Sequence, residues 1–106
     1  MPHNFILDDA GNAVACYDLI TWARWMSNAG RTVAQTKVGE VEVSTVFLGY
    51  DYSLGRGQLE LFETKIFGGA FDGEADHCST RAAAEVIHSA IVARVQGDLL
   101  PGQESH

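Results

Sequence analysis

No apolar run in this chain of 106 residues approaches the roughly 20 that a helical membrane span needs. Nor does its opening stretch, MPHNFILDDAGN, carry a basic segment leading into an apolar one. No membrane span and no secretory signal are therefore expected, and the expected location is cytoplasmic. Cysteine is scarce: Cys16 and Cys78 stand far apart in sequence and are expected to be free thiols in a reducing compartment rather than a bridge. Positive charge is scarce as well. Seven Lys and Arg stand against fourteen Asp and Glu, a net charge of −7 that opposes attraction to nucleic acid or anionic lipid. Direct nucleic-acid binding is disfavoured; solubility is the simpler reading of the charge, and an acidic face that meets a basic protein, such as the groove of a nucleic-acid-binding effector, is the sharper one. Also missing are C-x-x-C or H-x-x-x-H spacings and any strand-loop-helix phosphate cradle, so no cofactor is expected.

What is present centres on residues 41–69, VEVSTVFLGYDYSLGRGQLELFETKIFGG, which read as two long strands joined by a Gly-rich loop. The first run carries Val41, Val43, Thr45 and Phe47 on one face and Val46, Leu48 and Tyr50 on the other; the second carries Leu59 and Leu61 against Phe62, Thr64 and Ile66. Ahead of it, FILDD and AVACY form a small hairpin around Ala10-Gly11-Asn12. Asp18 caps a helix over residues 19–29, with Tyr17 stapled against Trp22, Gly30 as the stop, and Leu19, Trp22, Ala23, Trp25, Met26 and Ala29 in one apolar arc laid on the sheet. A strand at 31–38 pairs back onto the central hairpin through Gly39-Glu40, and an acidic edge strand at 74–78 follows the Asp72-Gly73 turn. Ser79 or Thr80 caps a last helix over residues 81–96, ended by Gly97, with Ala83, Ala84, Val86, Ile87, Ala90, Ile91 and Val95 buried and Arg94 reaching out of that face to water. The expected fold is a single α+β domain: an antiparallel sheet of about four strands, two helices packed on it, a small N-terminal hairpin, an ordered core over residues 4–97 and a loose tail over 98–106.

Two stretches hold candidate site residues. Asp76, His77 and Cys78, with Glu74 and Asp72 nearby, combine zinc-ligand chemistries, but strand alternation puts Asp76 and Cys78 on one face and His77 on the other. An ordinary charged edge strand is the simpler reading. Cys78 with His77 or His88 would make a nucleophile and base, against the usual fate of a lone cysteine as a small core residue. The loop Asp51-Tyr52-Ser53-Leu54-Gly55-Arg56-Gly57 offers an acid, a phenol, a hydroxyl and a guanidinium that could take a ligand, although most such tips only connect strands. Glu63 and Lys65 share a face of the second long strand as a buried acid or a surface pair. Trp25, at the margin of the first helix's arc, and the 51–57 loop are the expected contacts of a homodimer or partner; alternatively Trp25 completes the monomer core.

VSTVFLG at 43–49, LFET at 61–64, FGG at 67–69, Asp72-Gly73 followed by ST and a helix, and WARW at 22–25 before R-x-V-A-Q-T resemble a family of small uncharacterised phage and prophage proteins over residues 18–95. The chain departs from that family at Asp51-Tyr52 and at Asp76-His77-Cys78. The resemblance implies a non-enzymatic accessory protein that binds a host or phage protein, including inhibition of a host defence such as a CRISPR effector. Two other classes stay open: a small-molecule binder that sequesters a nucleotide signal, for which Arg56 would be the key cation, and a metal-assisted hydrolase built on residues 72–78.

Overall fold

The computed structural model describes residues 3–99; the part of the expected tail beyond residue 99 lies outside them. Strands β1 (Phe5–Leu7) and β2 (Ala13–Ala15) form the N-terminal hairpin. Helix α1 (Leu19–Asn28) follows, then β3 (Thr32–Val38), β4 (Val41–Phe47), β5 (Phe62–Phe67), β6 (Ala75–Cys78) and helix α2 (Arg81–Leu99). β3 to β6 make one antiparallel sheet in the order β3-β4-β5-β6, so the class is α+β as the sequence pattern implies. The hairpin is tied to the end of this sheet where Phe5 N–H donates to Gly49 O and Asn4 bridges Tyr50.

Alternation on β4 and β5 separates two faces. Val41, Val43, Thr45 and Phe47 are buried on one, with Phe62, Thr64 and Ile66 beside them, and α2 lies across that face. Its first free amides are met by Thr80, whose hydroxyl accepts from Ala83 N–H. The inward stripe of α2 is Ala84, His88, Ile91 and Val95, one residue round from the expected arc: Val86 is 70% exposed, Ala90 is exposed, and the helix continues through Gly97. His88 divides the core. Ala84 packs with Phe5, Phe47, Leu61 and Phe62, and Ile91 and Val95 pack with Val41, Val43 and Ile66. Between these clusters the imidazole meets a row of threonines, with Nε2 2.9 Å from Thr36 Oγ1, Nδ1 2.8 Å from Thr45 Oγ1, and Thr45 Oγ1 2.6 Å from Thr64 Oγ1.

α1 covers the end of the sheet rather than its middle. Asp18 caps it as expected, accepting from Ile20 N–H and the Thr21 hydroxyl, but Tyr17 is 83% exposed and staples nothing. Leu19 and Ala23 are exposed too, because only Trp22, Trp25, Met26 and Ala29 reach the body of the protein. Trp22 Nε1–H donates to Gly49 O at 2.8 Å, and Trp25 sets its ring edge-on to Phe47 at 5.6 Å. Gly49 has φ of +82°, and a Cβ there would run into the Met26 side chain, so the helix docks where the strand has no side chain. Leu59 is the other correction: β5 begins at Phe62, and Leu59 is partly exposed in the preceding loop.

Candidate functional site

The second face of the sheet carries Thr32, Gln35 and Lys37 from β3, Glu42, Ser44 and Val46 from β4, Glu63, Lys65 and Phe67 from β5, and Ala75 and His77 from β6. None of these is buried. Neither helix lies over it. An antiparallel sheet can leave one face to water, but this one also presents half-buried Val46 and Leu48 and exposed Phe67, Tyr50 and Tyr52.

One corner of the face is built from three distant segments. The β5–β6 register sets Glu63 opposite His77, whose Nε2–H donates to Glu63 Oε2 at 3.0 Å. His77 Nδ1 lies 3.8 Å from Glu60 Oε1. Tyr52 stacks on the imidazole with ring centroids 4.1 Å apart and planes 10° from parallel. Two carboxylates, an imidazole and a phenol thus converge at the end of β6.

Asp51 makes this geometry. It is 3% exposed, and its carboxylate accepts from Ser53 N–H, Ser53 Oγ–H, Gly55 N–H and Glu60 N–H. Burial opposes its charge, yet the bonds from Glu60, Ser53 and Gly55 outweigh that and hold the carboxyl below the usual range. Those bonds fold residues 51–60 into a closed loop that includes Leu54 in the left-handed region (φ 55°) and delivers Tyr52 to His77. Asp51 therefore organises the loop, with its acceptors already taken. Replacing it with alanine strips a buried acceptor from four donors and is expected to cost about 2–3 kcal/mol, read as a lower urea midpoint. Tyr52 and His77 amide shifts should change with it in NMR spectra. A variant as stable as wild type would reject this role.

The remaining sequence candidates are dispersed. Arg56 sits at the exposed loop tip with Nε–H donating to Ser53 O. Trp25 is on the opposite side of the sheet against Phe47, where it completes the core. Asp76 and Cys78 share the α2 side while His77 takes the outer face, and among the described residues no three His, Cys, Asp or Glu are grouped to hold a metal ion. Burial pushes the Cys78 thiol up, with Asp76 adding to the effect, and its Sγ–H points to Thr80 O. Neither histidine hydrogen-bonds it: His77 is held by Glu63 and His88 by threonines. Glu74 pairs instead with Arg94, whose guanidinium also lies over Phe71 at 3.8 Å. Glu60 is absent from the sequence candidates because it carries no pattern of its own; its position follows from the amide it gives to Asp51 and the Tyr52 N–H that its carbonyl accepts. A separate polar groove of about 450 Å³ opens between the β1–β2 turn and the start of α2, with Asp9, Trp25 and Arg81 on its walls.

No protein-family model, curated protein or solved structure matches the chain.

Proposed function

We propose that the protein acts without catalysis, by binding another protein through the open face of its sheet. The observation that carries this reading is the face itself: a four-stranded surface, uncovered by either helix, on which Val46, Leu48, Tyr50, Tyr52 and Phe67 are interspersed with Glu42, Glu63, Lys37 and Lys65. Aromatic and aliphatic anchors among polar groups are what protein interfaces use. A net charge of −7 on the chain as a whole favours approach by a basic partner. On the resemblance to small phage and prophage proteins that partner is a host or phage protein, and an acidic domain seated in the nucleic-acid groove of a defence effector would act as its inhibitor, in the manner of an anti-CRISPR protein.

A photo-crosslinking residue placed at Phe67 or Leu48 in bacterial lysate is expected to give one discrete heterologous product, while Leu19 and Val86, exposed on the two helices, give none. Crosslinks from the helix positions alone would reject the reading. So would a product from Phe67 that contains only a second copy of the chain, which would make this face a dimer interface. A small-molecule reading is favoured by one observation, the groove beside Trp25 and Arg81. Titration of nucleotides against Trp25 fluorescence in a Trp22→Phe background tests it, and saturable quenching lost in Arg81→Gln would support it.

A further inference from the structure

We propose that the free edge of β3 is a self-association surface: a second copy of the chain lays its own β3 antiparallel along it, joining the two sheets into one across a two-fold axis at Thr36. This goes beyond the reading of the open face and does not depend on it, because the edge and the outer face are different surfaces.

The backbone of β3 supplies the bonds. β3 pairs with β4 alone, so its other side is an edge of the sheet. Val38 and Val41 flank the two-residue turn Gly39-Glu40, and such a turn makes its flanking residues a hydrogen-bonded pair. Alternation from there commits the N–H and C=O groups of Thr36 and Ala34 to β4 and turns those of Gln35 and Lys37 outward. The other side of β4 keeps the same phase, since Leu48 N–H donates to Leu61 O in the direction of β5. No described residue meets the outward groups of Gln35 and Lys37. The usual guards of an edge are slight here: β3 has no proline, its lysine side chain lies on the outer face, and the bulge between Thr32 and Ala34 is outside the stretch from Gln35 to Lys37.

A second copy fits this edge in side chains and in charge. With the axis at Thr36, Gln35 of each chain lies opposite Lys37 of the other and exchanges both backbone bonds with it. On the outer face each Lys37 then stands beside a glutamine rather than another lysine, with its own Glu42 opposite on β4. On the inner face Thr36 meets its twin and Ala34 meets Val38. These three residues are only half-buried in one chain, whereas Val41, Val43 and Thr45 on β4 are at most 5% exposed, so the pairing closes a row that the single chain leaves open. Two chains of net charge −7 repel unless they meet where carboxylates are absent. Between Asp18 and Glu40 the sequence has no Asp or Glu, and β3 lies inside that interval. The opposite edge, β6, is four residues long, contains Asp76 and follows Glu74, which sets copies against each other there.

Sedimentation equilibrium of the full chain from about 1 to about 500 μM is expected to show the mass rising from that of one chain towards that of two. Amide exchange at Gln35 and Lys37, which have no acceptor within one chain, should slow by about tenfold or more over the same range. Gln35→Pro removes an outward N–H without touching the β3–β4 ladder and should keep the chain single, while Ala75→Pro, the same kind of change on the β6 edge, should leave the dimer. A cooperative urea transition establishes that each variant is folded; should Gln35→Pro fail to fold, the exchange of the two amides in wild type decides alone. In an equimolar mixture of isotope-labelled and unlabelled chains, a contact between the Thr36 Hα atoms of the two copies supports the stated axis, and one between two Gln35 residues instead overturns it. A single-chain mass throughout the range overturns the proposal. So does a dimer in which Gln35 and Lys37 exchange as fast as in dilute solution, or a folded Gln35→Pro that still dimerises, since either places the contact elsewhere.

Discussion

Phe47→Ala is expected to destabilise the protein by about 3–5 kcal/mol, a large share of the 5–15 kcal/mol typical of a small domain. The residue is fully buried, sits edge-on to Trp25 at 5.6 Å and tilts against Phe62 at 5.2 Å. It therefore joins α1, the sheet and, through Ala84, the first turns of α2. Truncation leaves a cavity bounded by two aromatic rings and a backbone pinned by Phe47 N–H to Arg31 O, which cannot collapse freely. The comparison is Phe67→Ala on the outer face, 47% exposed, where the expected change is within about 0.5 kcal/mol. Urea unfolding of both variants measures the asymmetry. Equal losses would mean that the two faces have been assigned the wrong way round.

That asymmetry is legible in the amino-acid sequence, because a period of two on β4 and β5 leaves no freedom once one face is buried: Val41, Val43, Thr45 and Phe47 go in together. Helix phase is less legible. On α2 small and aliphatic residues occur all round the helix, so a rotation of one residue exchanges Val86 and Ala90 for His88 at little apparent cost in hydrophobicity. The histidine escapes a helical wheel because its solvation depends on three threonines from three strands, which no local pattern reveals. On α1 the apolar arc is broader than the surface available to it, which is why Leu19 remains in water.

The candidate corner is hidden for a different reason. Asp51 and Tyr52 are visible as chemistry-bearing residues in a Gly-rich loop, and His77 as a residue leaving the face of its neighbours. Their meeting depends on a closed loop held by side-chain bonds and on a β5–β6 register that puts Glu63 opposite His77. Turn chemistry of this kind is read from the donors a carboxylate satisfies, and those donors are up to nine residues away from Asp51. Contacts between segments as distant in the chain as Tyr52 and His77 have no periodic signature at all.

His88→Ala is expected to cost about 3–4 kcal/mol, the sum of a cavity between two core clusters and the lost partner of Thr36 and Thr45. The wild-type arrangement is complete for a neutral ring: one imidazole nitrogen donates, the other accepts, the hydroxyls of Thr45 and Thr64 rotate to match, and no buried side-chain nitrogen or oxygen among the described residues lacks a partner. No carboxylate hydrogen-bonds the ring, so burial pushes His88 below its ordinary value of 6.5. The folded state then holds fewer protons than the unfolded state between that depressed value and 6.5. The contribution of His88 to stability is full above about pH 6.5 and declines as pH falls through this window toward the folded value. Unfolding midpoints in urea at pH 7.5, 6.0 and 5.0 should fall in that order for wild type. In His88→Gln, which keeps a donor and an acceptor but does not titrate, the decline across the same window should be shallower. The Asp51 carboxyl, held below the usual range, adds its own loss only at lower pH, so the two effects separate along the axis. Parallel pH profiles for wild type and His88→Gln would show that the imidazole is not kept neutral by the threonine belt, and a fully stable His88→Ala would show that the belt does not hold α2 on the sheet.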